Sequence, residues 1–479
     1  MASSRILIVG AGPAGVRCAE TLVRHGLRPT LIDENHRDGG QIYRRQPAGF
    51  QRDYRTLYGS EADKAKALHD SFDQLRSALD YYPDTSAWHL SGQRLYAHQQ
   101  GRPLELDYDH LLLCTGATDR VMPVKGWQLA GTYSLGGAQI ALKNQAVSIG
   151  HEVVFMGSGP LLYLVASQYL KAGANVAAVL DTSAFSKRLS ALPKLLSRAP
   201  LTARGSLLLA DLLRHGVSLH FGIRPLEVLG STDSGVSAIR FARADGSVSE
   251  ICCDALALGY HLRPETQLAD LAGCAFQFDE LSRQWLLQLD ELGRTSVPQV
   301  YAAGDGARIR GADAAERAGE LAAIALLQDL NRATPELAAR QQQLHSELAV
   351  LSRFAQGLSE AFPWPAQHAA QLSDDTIICR CEMISAGELR RTVQAKGALE
   401  VNRAKAFSRV GMGRCQGRYC AHVGAEVIAA ASGEPLQVVG RQRGQAPVKP
   451  LPISLYAVEP TDPVPQPECM QQPAPEVLS

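Results

Sequence analysis

Residues 5–34, RILIVGAGPAGVRCAETLVRHGLRPTLIDE, constrain this chain more than any other stretch. Ile6-Leu7-Ile8-Val9 is a short apolar run of the kind a buried parallel strand shows. GAGPAG follows, then an amphipathic helical pattern to about His25, then Thr30-Leu31-Ile32 ending in Asp33. Strand, glycine turn, helix and strand in that order, with G-x-G-x-x-G in the turn, is the pattern of a dinucleotide-binding unit. Gly10 permits the tight turn, Gly12 keeps side chains away from a pyrophosphate, and Gly15 lets the helix pack closely on the strand. Pro13 and Ala14 complete the candidate phosphate turn, and the helix N-terminus offers N–H groups and partial positive charge. Asp33 is placed to hydrogen-bond a ribose diol, with Glu34 beside it as the less well-placed candidate.

The rest of the chain fits a globular protein of two or three domains. It has 479 residues, 46% of them hydrophobic and 20% charged, and its formal net charge is zero. That balance argues against a dedicated nucleic-acid or anionic-membrane surface. No apolar run is long enough to cross a bilayer, and the first strand begins too early for a signal peptide to precede it. The expected location is the cytoplasm, free or peripheral at the inner membrane. Ten cysteines in that compartment read as ligands or core residues rather than disulfides.

After Asp33 comes a turn-rich segment with Gly39, Gly40 and Gln41, which reads equally as a surface loop or as backbone that approaches a ligand closely, with Gln41 reaching a flavin edge. Residues 61–79 have helical spacing, and 81–109 hold several short strand-like runs. His110–Cys114 is another apolar strand, running into Thr115-Gly116-Ala117 and a proline-containing turn. Residues 152–181 repeat the opening plan with GSGPLL, so a second nucleotide-binding unit is expected. Its third glycine position holds Leu162, which should push the helix off the strand or alter the pocket and puts an NAD(P) site in doubt. Residues 186–215 read as helix and 217–251 as a small sheet. Cys252 and Cys253 are strand neighbours facing opposite ways, so both read as structural. DALALGY, residues 254–260, is expected to start the return to the first domain, and TSVPQVYAAGDG completes it.

Four cysteines stand apart from the rest. Cys379-x-Cys381 is followed by Cys415 and Cys420 with four residues between them. Thiolates are soft ligands suited to zinc or iron–sulfur, and C-x-C is tighter than the usual zinc knuckle. Gly411, Gly413 and Gly417 can bring N–H groups to the sulfurs, and Arg380, Arg414 and Arg418 add charge that should raise a cluster's potential. No paired cysteines of a disulfide reductase, no zinc-protease motif and no nucleophile elbow occur elsewhere. The residues therefore give no catalytic acid, base or nucleophile.

Several of these motifs resemble known flavoproteins. The strand into T-G-A resembles the crossover of two-domain flavoproteins, which passes close to FAD, so Thr115 and Gly116 become candidate cofactor contacts. YAAGDG resembles the second FAD motif of that class, which gives Asp305 the ribityl or pyrophosphate region and Gly304 the backbone room. The quartet resembles the 2Fe-2S domain of bacterioferritin-associated ferredoxin, with all four ligand positions matched. GAGPAG, IDENHRDGGQIYR, TGATDR, GSGPLL, YAAGDG and the quartet, in one order over about residues 1–440, resemble the large FAD subunit of bacterial heteromeric amine and amino-acid dehydrogenases. That group includes D-hydroxyproline dehydrogenases, octopine and nopaline oxidases and hydrogen cyanide synthase.

The resemblance implies an α/β fold with two Rossmann-like domains of the thioredoxin-reductase and glutathione-reductase kind, plus a small helical 2Fe-2S domain. The expected division is 1–148 with 254–330 for FAD, 149–253 for the second unit, 331–370 as helical linker, 371–440 for the cluster, and 441–479 as a Pro-rich tail, extended or disordered, with a partner's surface as one place for it to lie. It implies an electron-handling role beside a D-amino-acid-oxidase-like flavoprotein β subunit. A small third, ferredoxin-like subunit is a further candidate partner. FMN at the subunit interface, or a second nucleotide such as ATP, are further candidate cofactors. Two other functions fit the same residues. One is a stand-alone NAD(P)H-dependent reductase using the second unit, and the other is a scaffold protein holding zinc in the quartet.

Overall fold

Strand Ile6–Val9 is buried at every position because it lies in the middle of a five-stranded parallel sheet. The order is Val300–Ala302, His110–Leu113, Ile6–Val9, Thr30–Ile32, Asp80–Tyr82, with Leu7 in register with both Leu111 and Thr30. Ile6 and Ile8 face a core made with helices Pro13–Arg24 and Ala312–Asp329. These helices are nearly in backbone contact, since a Cβ on Gly319 would collide with the Ala14 carbonyl oxygen. Leu7 and Val9 face the opposite core, closed by the antiparallel strands Thr85–Ser91, Arg94–Gln99 and Arg102–Asp107. The computed structural model describes residues 4–453 apart from 48 and 50.

A second parallel sheet has the order Ser218–Phe221, Asn175–Asp181, Glu152–Ser158, Ala255–Tyr260, Thr132–Ser134. Here the expected domain boundaries are wrong. Ala255–Tyr260 does not return to the first sheet but pairs with Glu152–Ser158, Phe155 opposite Ala257. Thr132–Ser134 and the following helix Leu135–Asn144 also belong to this sheet and its core, not to the first domain. The return begins at Leu262–Pro264, which pairs with Ala117–Asp119. The expected small sheet over 217–251 is divided: Ser218–Phe221 joins the parallel sheet, and Arg224–Ser231, Gly235–Ala242 and Val248–Cys252 form a separate antiparallel one. Cys252, the last residue of its strand, is exposed, and Cys253 just beyond the strand is buried. Leu162 does not displace its helix. It is fully buried in one core with Phe155 and Val165, beneath helix Pro160–Lys171.

Helix Pro335–Ala361 lies against both Ala312–Asp329 and Phe185–Leu195, so it ties the two sheets' helical layers together. Arg317 pairs with Glu347, Arg340 with Glu320 at 2.6 Å, and Lys194 with Glu360 across these contacts. Beyond it, a hairpin of Ile377–Cys379 and Ile384–Ser385 leads into helices Ala386–Lys396, Val401–Ser408 and Cys420–Ser432. Ser385 and Glu388 form a reciprocal cap on the first of these helices. Ile378, Leu389, Val401, Val423 and Val427 share a single core with Val121, Trp127, Val154 and Ile239, so the cysteine-bearing unit is fused to the second sheet rather than tethered to it. The segment after 440 is not a tail on a partner as far as it is described. Arg441 holds both oxygens of Asp270 at 2.7 Å, the buried Val448 donates its N–H to Trp88 O at 3.0 Å, and Lys449 pairs with Glu34 at 2.7 Å. Residues 454–479 lie outside the described residues.

Candidate functional site

The glycine turn after Ile6–Val9 is a floor of bare backbone. A Cβ on Gly15 would collide with Gly10 O, which is why the helix can sit so low on the strand. Gly39 and Gly40 come back over it, and a Cβ on Gly40 would lie 2.9 Å from Gly12 Cα. Helix Pro13–Arg24 has Gly12 at its cap and no side-chain cap hydrogen bond, so its first-turn N–H groups are left for a ligand. Bare turn, uncapped helix and the 39–40 turn together form a cradle that fits a pyrophosphate. Asp33 Oδ2 accepts from Ala11 N at 2.6 Å and its Oδ1 from Asn35 N at 2.7 Å, so this buried carboxylate holds the turn itself. Glu34 is the more exposed of the two, with Lys449 as its partner. Gln41 is exposed and its Oε1 accepts from Arg44 Nη2 at 2.8 Å.

The second motif closes on the same place. Gly304 meets the helix, a Cβ there lying 2.8 Å from Ala14 Cβ. Asp305 is driven upward in pKa by burial, and its Oδ1 accepts from the N–H groups of Arg310 at 3.0 Å and Gly311 at 3.2 Å. Gly306 stacks on the Thr115–Gly116 turn, where a Cβ would lie 2.6 Å from Thr115 Oγ1. The predicted residues Gly10, Gly12, Pro13, Ala14, Gly15, Gly40, Thr115, Gly116, Gly304 and Asp305 are thus brought to one end of the first sheet. Cys18 and Cys114 lie in the core beneath, and burial raises both thiols, Cys114 to about 12, so neither is a thiolate nucleophile.

The equivalent place in the second unit is filled by the protein. His261 lies over Gly159, its ring 3.3–3.4 Å from where a Cβ would stand, and its Nε2 is bonded to Phe362 O at 2.7 Å. Burial lowers His261 to about 4, so the ring is neutral and this nitrogen donates. Asp181, at the end of its strand, is fully buried and accepts from Tyr163 Oη at 2.5 Å, Ser183 N at 2.7 Å and Arg188 Nη2 at 2.5 Å. The Arg188 guanidinium lies 5.0 Å from the Phe362 ring and 4.9 Å from that of Tyr163. The segment after helix Pro335–Ala361 therefore covers this site, a contact the sequence motif gives no sign of.

The four candidate ligands converge between the hairpin and helix Cys420–Ser432. Among the described residues no group of three or more His, Cys, Asp or Glu is set around one point for a single ion. The thiols instead influence one another in series, Cys379 with Cys420, Cys420 with Cys415 and Cys415 with Cys381. Hydrogen bonding to Cys420 pulls Cys379 down to about 6, helped by the N–H groups of Gly411, Glu382 and Cys381, and lowers Cys415 as well. Cys420 is pushed up correspondingly. Sulfurs in series, ringed by backbone N–H groups, are a donor set that fits a thiolate-bound two-iron cluster. Of the three arginines expected to add charge here, Arg418 is neutralised by Glu265, Nε to Oε2 at 2.7 Å. Glu265, Arg263 and Gln267, which bind the Cys415–Cys420 loop to the first unit, carry no motif and were not foreseen from the sequence.

Comparison with known proteins finds a family match for each of the two segments that carry these residues. Residues 4–319 match the pyridine nucleotide-disulphide oxidoreductase family, and residues 377–430 match the BFD-like [2Fe-2S] binding domain. The chain is 36% identical over 468 residues to an opine oxidase subunit of Agrobacterium tumefaciens (strain Ach5), covering 94% of this chain and 91% of that one. It is 31% identical over 461 residues to the hydrogen cyanide synthase subunit HcnB of Pseudomonas aeruginosa, covering 94% and 98%. Among solved structures it superposes on L-proline dehydrogenase from P. horikoshii with TM-score 0.68 at 19% identity, covering 95% of this chain and 79% of the other, a likeness of fold.

Proposed function

Because the chain belongs to the pyridine nucleotide-disulphide oxidoreductase family and carries FAD and a 2Fe-2S cluster, as one subunit of an oxidase or dehydrogenase, we propose that it is the electron-transfer subunit of a complex that oxidises an amino acid or secondary amine. The substrate is of the D-hydroxyproline, opine or glycine class, and a separate flavoprotein subunit binds it. When bound, FAD exchanges electrons in pairs or singly and the cluster exchanges them one at a time, so together they convert between the two modes. Cys379, Cys381, Cys415 and Cys420 hold the cluster. Gly10, Gly12, Pro13, Ala14, Gly15 and Gly40 receive the pyrophosphate on backbone, and Thr115, Gly116, Gly304 and Asp305 border the flavin half. Asp305 Oδ1 is bonded to Arg310 N and Gly311 N, so its Oδ2 takes a ribityl hydroxyl. Glu34, rather than Asp33, takes the ribose diol, because Asp33 is engaged by Ala11 and Asn35. None of these residues donates or removes a substrate proton; they position the two groups.

The observation that carries this reading is the direct bonding of the cysteine loop to the Thr115–Gly116 turn through Glu265. Its rival, an NADH-dependent reductase, needs the second nucleotide site that His261, Phe362 and Arg188 fill. The test is to purify the protein together with its flavoprotein partner, then add either amine or NADH. The amine should bleach the flavin and give a reduced paramagnetic iron signal, and NADH should do neither. Bleaching by NADH without the partner, or a complex lacking iron, would sink the assignment.

A further inference from the structure

The second FAD motif and the cysteine loop are joined by one unbroken run of contacts. Gly306 packs on Thr115 and Gly116. Thr115 Oγ1 donates to Glu265 O at 2.6 Å, and Glu265 N donates to Gly116 O at 3.0 Å, so the Glu265 backbone is fixed to the turn at two points. Its carboxylate then accepts from Arg418 Nε at 2.7 Å and Arg418 Nη2 at 3.3 Å. Arg418 Nη1 donates to Cys415 O at 3.2 Å, and Arg263 Nη1 donates to Arg418 O at 2.7 Å. Glu265 and Arg418 are both nearly buried, with side chains 12% and 10% exposed.

A two-point Arg–carboxylate pair fixes orientation as well as distance. Docking of the helical unit does not depend on it, since Arg441 holds Asp270 and Arg283 holds Glu426, each through two hydrogen bonds, elsewhere on the same face. What this pair adds is the placing of one loop, the one that bears Cys415 and Cys420, on the one turn that borders the flavin motif.

We propose that Glu265 is a positioning residue for electron exchange between FAD and the cluster: acting through Arg418, it sets the separation that an electron crosses. The proposal rests on the reading above, that FAD lies on the first unit and the cluster on the quartet. In the step itself one electron leaves the flavin and one ferric ion becomes ferrous, or the reverse, and no covalent bond forms or breaks.

The test uses the intact complex with Glu265→Gln, Glu265→Asp and Arg418→Lys. Three quantities are read: iron and flavin content, iron reducible by dithionite, and the rate at which iron and flavin equilibrate after rapid mixing with amine. Content and dithionite-reducible iron should match the wild type, because no ligand is touched. Equilibration should slow severalfold in both Glu265 variants, because the rate at which an electron crosses falls steeply with the separation that the loop sets. Arg418→Lys, which keeps the charge with a single contact, should fall between them and the wild type. Glu265→Asp separates position from charge: wild-type equilibration in it, or in both variants, overturns the proposal while leaving the electron-transfer reading intact. A wild-type complex that lacks either group, or never exchanges electrons between them, overturns both. Should Glu265→Gln fail to load, Glu265→Asp and Arg418→Lys carry the same outcomes.

Discussion

At the residue scale the turn over the FAD motif depends on one neutral histidine. His69 is buried, its Nε2 donates to Tyr43 O at 2.7 Å, and its Nδ1 accepts from Tyr54 Oη at 2.8 Å. Burial lowers it from 6.5 to about 4. A histidine whose folded pKa is depressed binds its proton more readily unfolded, so its contribution to stability is complete above 6.5 and is lost as pH falls toward 4. The loss is at most about 3 kcal/mol. Urea unfolding of wild type and His69→Gln across that window should therefore show their stability difference narrowing as the solution is acidified. A constant difference would mean that His69 is not held neutral. What the sequence revealed at this scale was whatever a local pattern encodes: the glycines of the first turn, and the four cysteines. It did not show that Asp33 turns inward to Ala11 and leaves Glu34 outside, since that depends on the path of 33–35 and on Lys449 far along the chain.

At the scale of elements, helix Pro335–Ala361 ends by delivering Phe362 into the second unit, where it meets Tyr163, His261 and Arg188. Phe362→Ala should cost about 3 kcal/mol through the cavity it leaves. It should still give no NADH-driven bleaching, because Asp181 keeps its bonds to Tyr163 and Ser183. Denaturant titration and absorbance with NADH check the two halves of that expectation. The wrongly placed strand, Ala255–Tyr260, shows why elements are more legible than their partners. Six residues buried on both faces read as a strand, but nothing in an apolar run says which of two sheets it joins. Thr132–Ser134, three residues long, offers no periodicity at all.

For the molecule as a whole, the shared core of the cysteine unit and the second sheet makes a prediction about losing the cluster. Cys420→Ser should abolish iron binding and lower the melting temperature, yet retain FAD and a folded helical unit, because Trp127, Ile239, Val423 and Val427 remain packed together. Circular dichroism with flavin and iron analysis decides this; loss of FAD together with iron would show that the two units fold as one. The contacts that join the units were the least visible in advance. Glu265 and Arg418 are 153 positions apart, and although Arg418 lies within the cysteine spacing, nothing in the sequence pairs it with Glu265.

The first sheet also has a schedule. Its central strand, Ile6–Val9, is made long before its edge strand Val300–Ala302 and the covering Val448. A ribosome releases Val300–Ala302 only after the second unit has emerged, and Val448 only after the cysteine helices as well, so the first sheet is begun before the second and completed after it. Cofactor loading of the nascent polypeptide must wait for the same moment, and a chain cut short before residue 300 would leave His110–Leu113 as an open edge seeking another partner.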